Sequence, residues 1–238
     1  MVSNIKRVLY FIAFTLIFAM FSGCLETPQV SPATIDENAL TAYGWSQVSL
    51  EVKSLEQEIT NSTTIVLNSS TAKYHNDRLS SDINEQTLQF KEENNLPVTI
   101  DIPDSLSAQI VTYRLSLPSG ATLPTGIVNK IMERKIAEIE SSNDLGTTQE
   151  TSTRKLLLDD GTETVVQIFS SSANSTDTGM KMMGFVAAFE DEESSTIVMG
   201  FVPDGEYNIE SGPVNGTLFS IDGNNEIDEM LELVSTID

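Results

Sequence analysis

Few side chains in this sequence are equipped for chemistry. It holds a single His, His75, and a single Cys, Cys24. A catalytic His75 would need a nucleophile or a carboxylate beside it, and Asp77 is the only acid close by, so His75 reads as a solvated histidine at a strand end. One Cys excludes an intramolecular disulfide and any Cys-rich zinc site. Serines are abundant, yet there is no Gly-x-Ser-x-Gly elbow, and neither a Gly-x-Gly-x-x-Gly nor a Gly-x-x-x-x-Gly-Lys phosphate loop. Asp222-Gly223-Asn224-Asn225-Glu226-Ile227-Asp228 begins like a calcium loop, but Ile227 stands where the turn needs Gly and Leu233 where the last ligand should be a carboxylate. Met180, Met182, Met183 and Met199 could offer thioethers to copper(I), but with no His or Cys near them they read as core packing. Glu190-Asp191-Glu192-Glu193 reads as a solvated hairpin connection, and Trp45, following Gly44, as cover for a sheet edge. No catalytic, cofactor-binding or metal-ligating residue is expected.

What the sequence does carry is an address. Lys6 and Arg7 precede an apolar run from Val8 to Phe21, which ends in Ser22-Gly23-Cys24. A basic flank, a short apolar stretch and small residues at the break describe an export signal. The run is shorter than the ~20 residues a membrane-crossing helix needs. Ser22-Gly23-Cys24 resembles the lipobox of exported lipoproteins, in which the Cys becomes the lipid-bearing N-terminus; Phe21 stands where that motif usually has Leu. Cys24 is therefore the expected lipidation site, and an uncut signal anchor is the other reading. Four sequons fit an exported chain and mark Asn61, Asn68, Asn174 and Asn215 as candidate glycosylation sites.

The charge describes the solvent. Lys and Arg number 13 against 35 Asp and Glu, a formal net charge of −22, and the pI is about 4.1. Such a field repels phosphate backbones, so nucleic acid is excluded as a partner. The acids recur along the whole chain, as a solvated surface does. Self-repulsion of this size disfavours a compact state in dilute buffer, and concentrated salt screens it. The expectation is a halophile, with an acidic exported protein from moderate salt as the alternative.

The elements that must position all this follow from periodicity. Residues 36–43, with early acids and Gly44 behind them, suit a short helix. From Trp45 the period becomes two, and Val48, Leu50 and Val52 form the apolar side of a half-buried strand. Residues 63–67 and 71–74 continue as strand. Residues 76–104 are polar and mixed in charge, and are read as an excursion with a short helix or hairpin. Residues 108–117 alternate again. Val128, Ile131, Met132, Ile136 and Ile139 make an amphipathic central helix that Thr125 can cap. Asp159-Asp160-Gly161 joins a hairpin of 155–158 with 164–169, and 180–189 pairs with 196–202. Residues 204–224 read as loop. A C-terminal amphipathic helix carries Ile227, Met230, Leu231, Val234 and Ile237, with Asn225 as its cap. The fold expected is α+β: an antiparallel β-sheet packed by the central and C-terminal helices and preceded by a signal or anchor helix. Residues 1–23 form the signal peptide, 24–34 the tether, and 35–238 a single domain.

This arrangement resembles an uncharacterised family of haloarchaeal lipoproteins, a domain of unknown function. The likeness runs through Ser22-Gly23-Cys24, Ser31-Pro32-Ala33-Thr34, Ala42-Tyr43-Gly44-Trp45, the helix Thr125–Ile139 and the hairpins beyond. The order of elements is also similar to the antiparallel-sheet domains of the PsbP and Mog1 type. The resemblance implies no activity. The functional expectation is a non-enzymatic, lipid-anchored domain on the extracytoplasmic face of the cell membrane, binding or supporting a membrane or surface protein. A substrate-capturing lipoprotein of a transporter is the alternative. A hydrolase built from carboxylates distant in sequence is the third reading, and two buried acids facing each other in a cleft would favour it.

Overall fold

A computed structural model describes residues 30–60, 63–96, 107–116, 149–172, 180–190, 194–211 and 214–238, with Gly126, Lys130, Ile131, Glu133, Arg134 and Ala137 between them. In chain order the elements are helix α1 (Glu37–Tyr43), strands β1 (Trp45–Thr60) and β2 (Thr63–Asn76), helix α2 (Asp77–Glu93), then β3 (Gln109–Ser116), β4 (Gln149–Leu157), β5 (Glu163–Ser172), β6 (Lys181–Glu190), β7 (Ser194–Ser211), β8 (Val214–Ile221) and helix α3 (Gly223–Ser235).

Every pairing is antiparallel, and the strand order is β1-β2-β3-β7-β6-β5-β4, with β8 on β7. Strand β7 serves three partners, with β3 beside it from Ser194 to Phe201. Up to Asp204 it lies beside β6, and from Gly205, at φ 107°, it pairs with β8. A sheet with helices laid upon it is the α+β arrangement that the periodicity predicted.

Helix α1 starts where Asp36 accepts a hydrogen bond from the Ala39 amide at 2.9 Å, and stops at Gly44, whose φ of 71° suits a residue without a side chain. The Gly44 carbonyl then accepts the first amides of α2, from Asp77 at 2.9 Å and Arg78 at 3.1 Å. A Cβ on Gly44 would lie 2.8 Å from the Cβ of Arg78, so the close approach also requires glycine.

The two expected hairpins form. Gly161, at φ 89°, turns β4 into β5, and its amide donates to the Leu158 carbonyl at 2.9 Å. Strands β6 and β7 pair from Lys181–Asp204 to Glu190–Ser195. Helix α3 lays Ile227, Met230, Leu233 and Val234 against β6 and β7, all of them fully buried. Its cap is Asp222, whose carboxylate accepts from the amides of Asn224 and Asn225 at 3.1 and 3.2 Å, rather than the expected Asn225.

Four expectations are corrected. The segment read as a polar excursion carries the 17-residue helix α2. It buries Leu79, Ile83 and Thr87 one turn apart and packs on β8, where Phe90 covers Gly216. The loop read over 204–224 holds the β7–β8 hairpin, inside which Tyr207 stacks on Phe219 with ring centroids 5.0 Å apart. The tether read to residue 34 ends sooner, because Val30, Ala33 and Ile35 are buried. Thr112 Oγ1 donates to the Ala33 carbonyl at 2.7 Å and the Ile35 amide donates to Tyr74 Oη at 3.2 Å, so this stretch is part of the body. Finally, β1 is a strand, but Val48, Leu50 and Val52 are 65, 45 and 47% exposed rather than half-buried. Strand β1 lies at the end of the sheet, where its first residue, Trp45, is buried but Val48, Leu50 and Val52 are not.

The central helix is described only in part. Gly126, Lys130, Ile131, Glu133, Arg134 and Ala137 are helical, with Ile131 half-buried and the others exposed. The other residues of the expected central helix, the segment 1–23 read as a signal peptide and residues 24–29 of the expected tether lie outside the described residues.

Candidate functional site

A cleft of about 980 Å³ opens where three separate pieces of chain converge: the continuous stretch from the entry segment through α1 to the start of β1, the β4–β5 turn and the C-terminus. Hydrogen bonds hold the pieces together. The Asp36 amide donates to Thr236 Oγ1 at 3.2 Å, the Asp238 amide to the Thr34 carbonyl at 3.3 Å, and the Asp159 amide to the Ser235 carbonyl at 2.8 Å. Arg114 reaches up from β3 and donates to the Asp238 carbonyl at 2.8 Å. Thus the two ends of the domain close on each other beside one concavity.

The lining is acidic. Asp36, Glu37, Asp159 and Asp238 border the cleft, and no Lys, Arg or His is among its described lining residues. Trp45 forms part of the wall; it is 4% exposed, and its Nε1–H has no hydrogen-bond partner among the described residues. Carboxylates around a partly apolar wall raise the local concentration of cations. The arrangement suits binding. Among the described residues no three of His, Cys, Asp and Glu stand close enough to hold a metal ion.

A second polar cluster lies where the N-termini of α2 and α3 meet. Arg78 donates to both oxygens of Glu226, at 3.1 and 3.0 Å, to Glu229 at 2.8 Å and to Asp82 at 3.3 Å. Asn76, which caps α2 through its Oδ1, donates from Nδ2 to Glu226 at 3.1 Å. Glu226 is 6% exposed. Burial pushes its carboxyl above the usual carboxylate range, and the neighbouring Arg78 offsets this only in part. Burial opposes the charge on Arg78, yet Glu226, Glu229 and Asp82 together raise its value. Two acids therefore do come close in a sheltered place, but a guanidinium stands between them, which makes the cluster an ion-pair clamp between helices. The sequence held one sign of it. Glu226 falls on the same helical stripe as Met230, Leu233 and Ile237, where an acid has to find a buried partner.

The other candidate residues are spread apart. His75 lies on β2, half-buried, with Nδ1 3.2 Å from Asp77 Oδ1. Met180, Met182 and Met199 are buried in the sheet's packing and Met183 lies against the same core. Asn215 is exposed on β8 and open to modification. Asn68 is not: it is 4% exposed, and its Oδ1 accepts from Ser54 at 2.9 Å, so the folded chain has no room for a glycan there. Cys24, Asn61 and Asn174 lie outside the described residues. No described helix is long and apolar enough to cross a membrane.

Sequence reasoning missed the cleft because its acids stand at positions 36, 37, 159 and 238 and share no motif. Among known proteins, the model of the family described as "Domain of unknown function (DUF6517)" matches residues 32–237. No curated protein and no solved structure matches the chain.

Proposed function

The chain belongs to the DUF6517 family, and on that premise we propose that it is a lipid-anchored surface domain of a halophilic archaeon, held on the extracytoplasmic face of the membrane and acting by binding rather than catalysis. The observation that carries this reading is where the body begins. Val30 is already buried, only six residues after Cys24. Six extended residues reach about 20 Å. A lipid on Cys24 would hold the domain close to the bilayer, with the cleft beside the entry segment at its near end. A membrane or surface protein is the partner this placement favours.

The test is mass spectrometry of native material together with membrane fractionation. The expected outcome is a chain beginning at a lipid-modified Cys24 in the membrane fraction. A Cys24→Ser variant should leave that fraction or retain its signal. An intact Met1 peptide with an unmodified Cys24 thiol would overturn the proposal.

The acidic cleft favours a second reading, a lipoprotein that captures a substrate for a transporter. Its ligand would be a small organic cation. Trp45 is the only tryptophan in the chain, so its fluorescence reports on the cleft wall directly. Titration with alkylammonium ions should shift that emission saturably, and more weakly in an Asp159→Asn variant. A linear response equal to that of a simple salt would rule this reading out.

A further inference from the structure

Strand β1 runs for 16 residues and pairs with β2 alone among the described strands. An outer strand leaves a row of backbone donors and acceptors ready for another chain. On β1 this edge comes with exposed apolar side chains. Leu50 stands opposite Ala72 and Val52 opposite Ser70, and both of those β2 residues are buried. The core-facing side of the sheet thus runs out onto β1 and ends there uncovered. Glu51 and Lys53 lie on the opposite face, opposite Thr71 and Ser69, and form an exposed ion pair with each other.

We infer that this edge pairs with the same edge of a second copy, antiparallel, with the two-fold axis at Val52. The charges choose both the partner and the register. With Val52 opposite Val52 of the second copy, each Glu51 faces a Lys53 across the seam, twice by symmetry. A slip of two residues in one direction sets Glu51 against Glu51, and in the other sets Lys53 against Lys53. A slip of one residue turns the apolar side of one strand against the charged side of the other. The register centred on Val52 is the one that sets each Glu51 against a Lys53; it pairs Val52 with Val52 and places Leu50 against Ser54. Directly opposed side chains lie close enough, ~5 Å between Cβ atoms, for both kinds of pair to count. Towards the N-terminus the seam stops at the β1 irregularity between Gln47 and Ser49, which shifts the register against β2 and leaves Val48 unpaired.

The opposite outer strand is unlike it. On β4, Arg154 is held by Asp228 of α3, and Lys155 donates to Glu163 of β5 at 2.6 Å. Its basic side chains reach acids of neighbouring elements, whereas the Glu51–Lys53 pair lies within β1 itself.

A seam from residue 49 to 55 is smaller than the roughly 1,200–2,000 Å² of a lasting interface, so the association should be reversible, in the micromolar to millimolar range. The experiment is sedimentation of the full chain in detergent, at the lowest salt that keeps it folded, over a concentration series. The wild type should form dimers. Lys53→Glu and Glu51→Lys should each weaken self-association about tenfold, since each turns attraction across the seam into repulsion. The double variant Glu51→Lys with Lys53→Glu should restore it, an outcome that a merely misfolded single variant would not give. In a Cys24→Ser background, Val52→Cys should cross-link into a disulfide dimer under mild oxidation, whereas Val165→Cys, on β5 and somewhat more exposed, should not. A wild type that stays monomeric at high concentration would overturn the inference, including one that captures an extended segment of another protein instead. So would a dimer indifferent to both charge reversals.

Discussion

At the scale of single residues, the most consequential side chain is Glu226, a carboxylate folded into the joint between two helices. Its pKa is raised above that of an exposed glutamate, chiefly by burial. A raised folded-state value means that the folded chain binds the proton more tightly than the unfolded one. The stability it contributes is complete below the ordinary carboxylate range of ~4.3 and is lost as the pH rises through the shifted value. Thermal stability should therefore increase on acidification from neutral pH toward 5, and Glu226→Gln should flatten that dependence while folding at least as well at pH 7. A Glu226→Gln variant with the same pH profile as wild type would contradict this. Arg78→Met should do the opposite. It leaves Glu226, Glu229 and Asp82 facing one another without a cation. Breaking a buried pair from one side costs 3–5 kcal/mol, and since Arg78 is partly exposed a loss of about 2 kcal/mol is expected, or about 4–8 °C in melting temperature. Calorimetry at pH 7 measures it, and a variant that melts with the wild type would show the clamp to be ornamental.

Between residue and molecule stand the elements, and here the sheet's interior depends on two glycines beneath aromatic rings. Gly200 of β7 lies opposite Phe185 of β6, and Gly184 lies opposite Phe201 of β7 and Phe169 of β5. A Cβ on Gly200 would sit 2.2 Å from the Phe185 ring and 2.5 Å from the Met230 Cε, and both of those side chains are confined in the core. Gly200→Ala should therefore lower stability by about 1–3 kcal/mol through overpacking, as read from denaturant midpoints. An unchanged midpoint would mean that α3 can lift from the sheet at no cost. The same elements show what periodicity can reveal. Helices α1 and α3 and both hairpins were legible because each has its own local signature: a cap, an apolar stripe, an Asp-Gly turn. Helix α2 was not, since its buried side consists of Leu79, Ile83 and Thr87 alone among polar neighbours. Strand β8 hid among Gly, Asn and Pro. Strand β1 shows the converse. Alternation marked one side of it as apolar, but no local pattern can say that a strand will be outermost and that Val48, Leu50 and Val52 will stay exposed. The cleft was beyond reach for a related reason, because four acids from both ends and the middle of the chain meet only after the fold has closed.

At the scale of the whole molecule, one quantity governs the rest, the excess of 22 acidic over basic residues. If every Lys and Arg were engaged in an ion pair, that many carboxylates would still lack a cationic partner. Some pairs already serve local tasks, such as Arg78 between two helices and Arg154 on Asp228. The remaining negative charge repels across the surface over distances that dilute buffer transmits and molar salt does not. The Debye length falls from ~10 Å at 0.1 M to ~3 Å at 1 M. If repulsion limits stability, the melting temperature should climb steeply with KCl over that interval and level off above it, once neighbouring charges no longer sense one another. Acid should substitute for salt, because protonating part of the carboxylates removes the same repulsion, and the gain from KCl should shrink at pH 5. The two responses must trade against each other in this way if charge is the cause. Stabilisation that kept growing linearly far beyond 1 M and was the same at pH 5 and pH 7 would instead reflect exclusion of salt from the protein surface. A melting temperature indifferent to salt would remove the physical ground for placing this protein in brine.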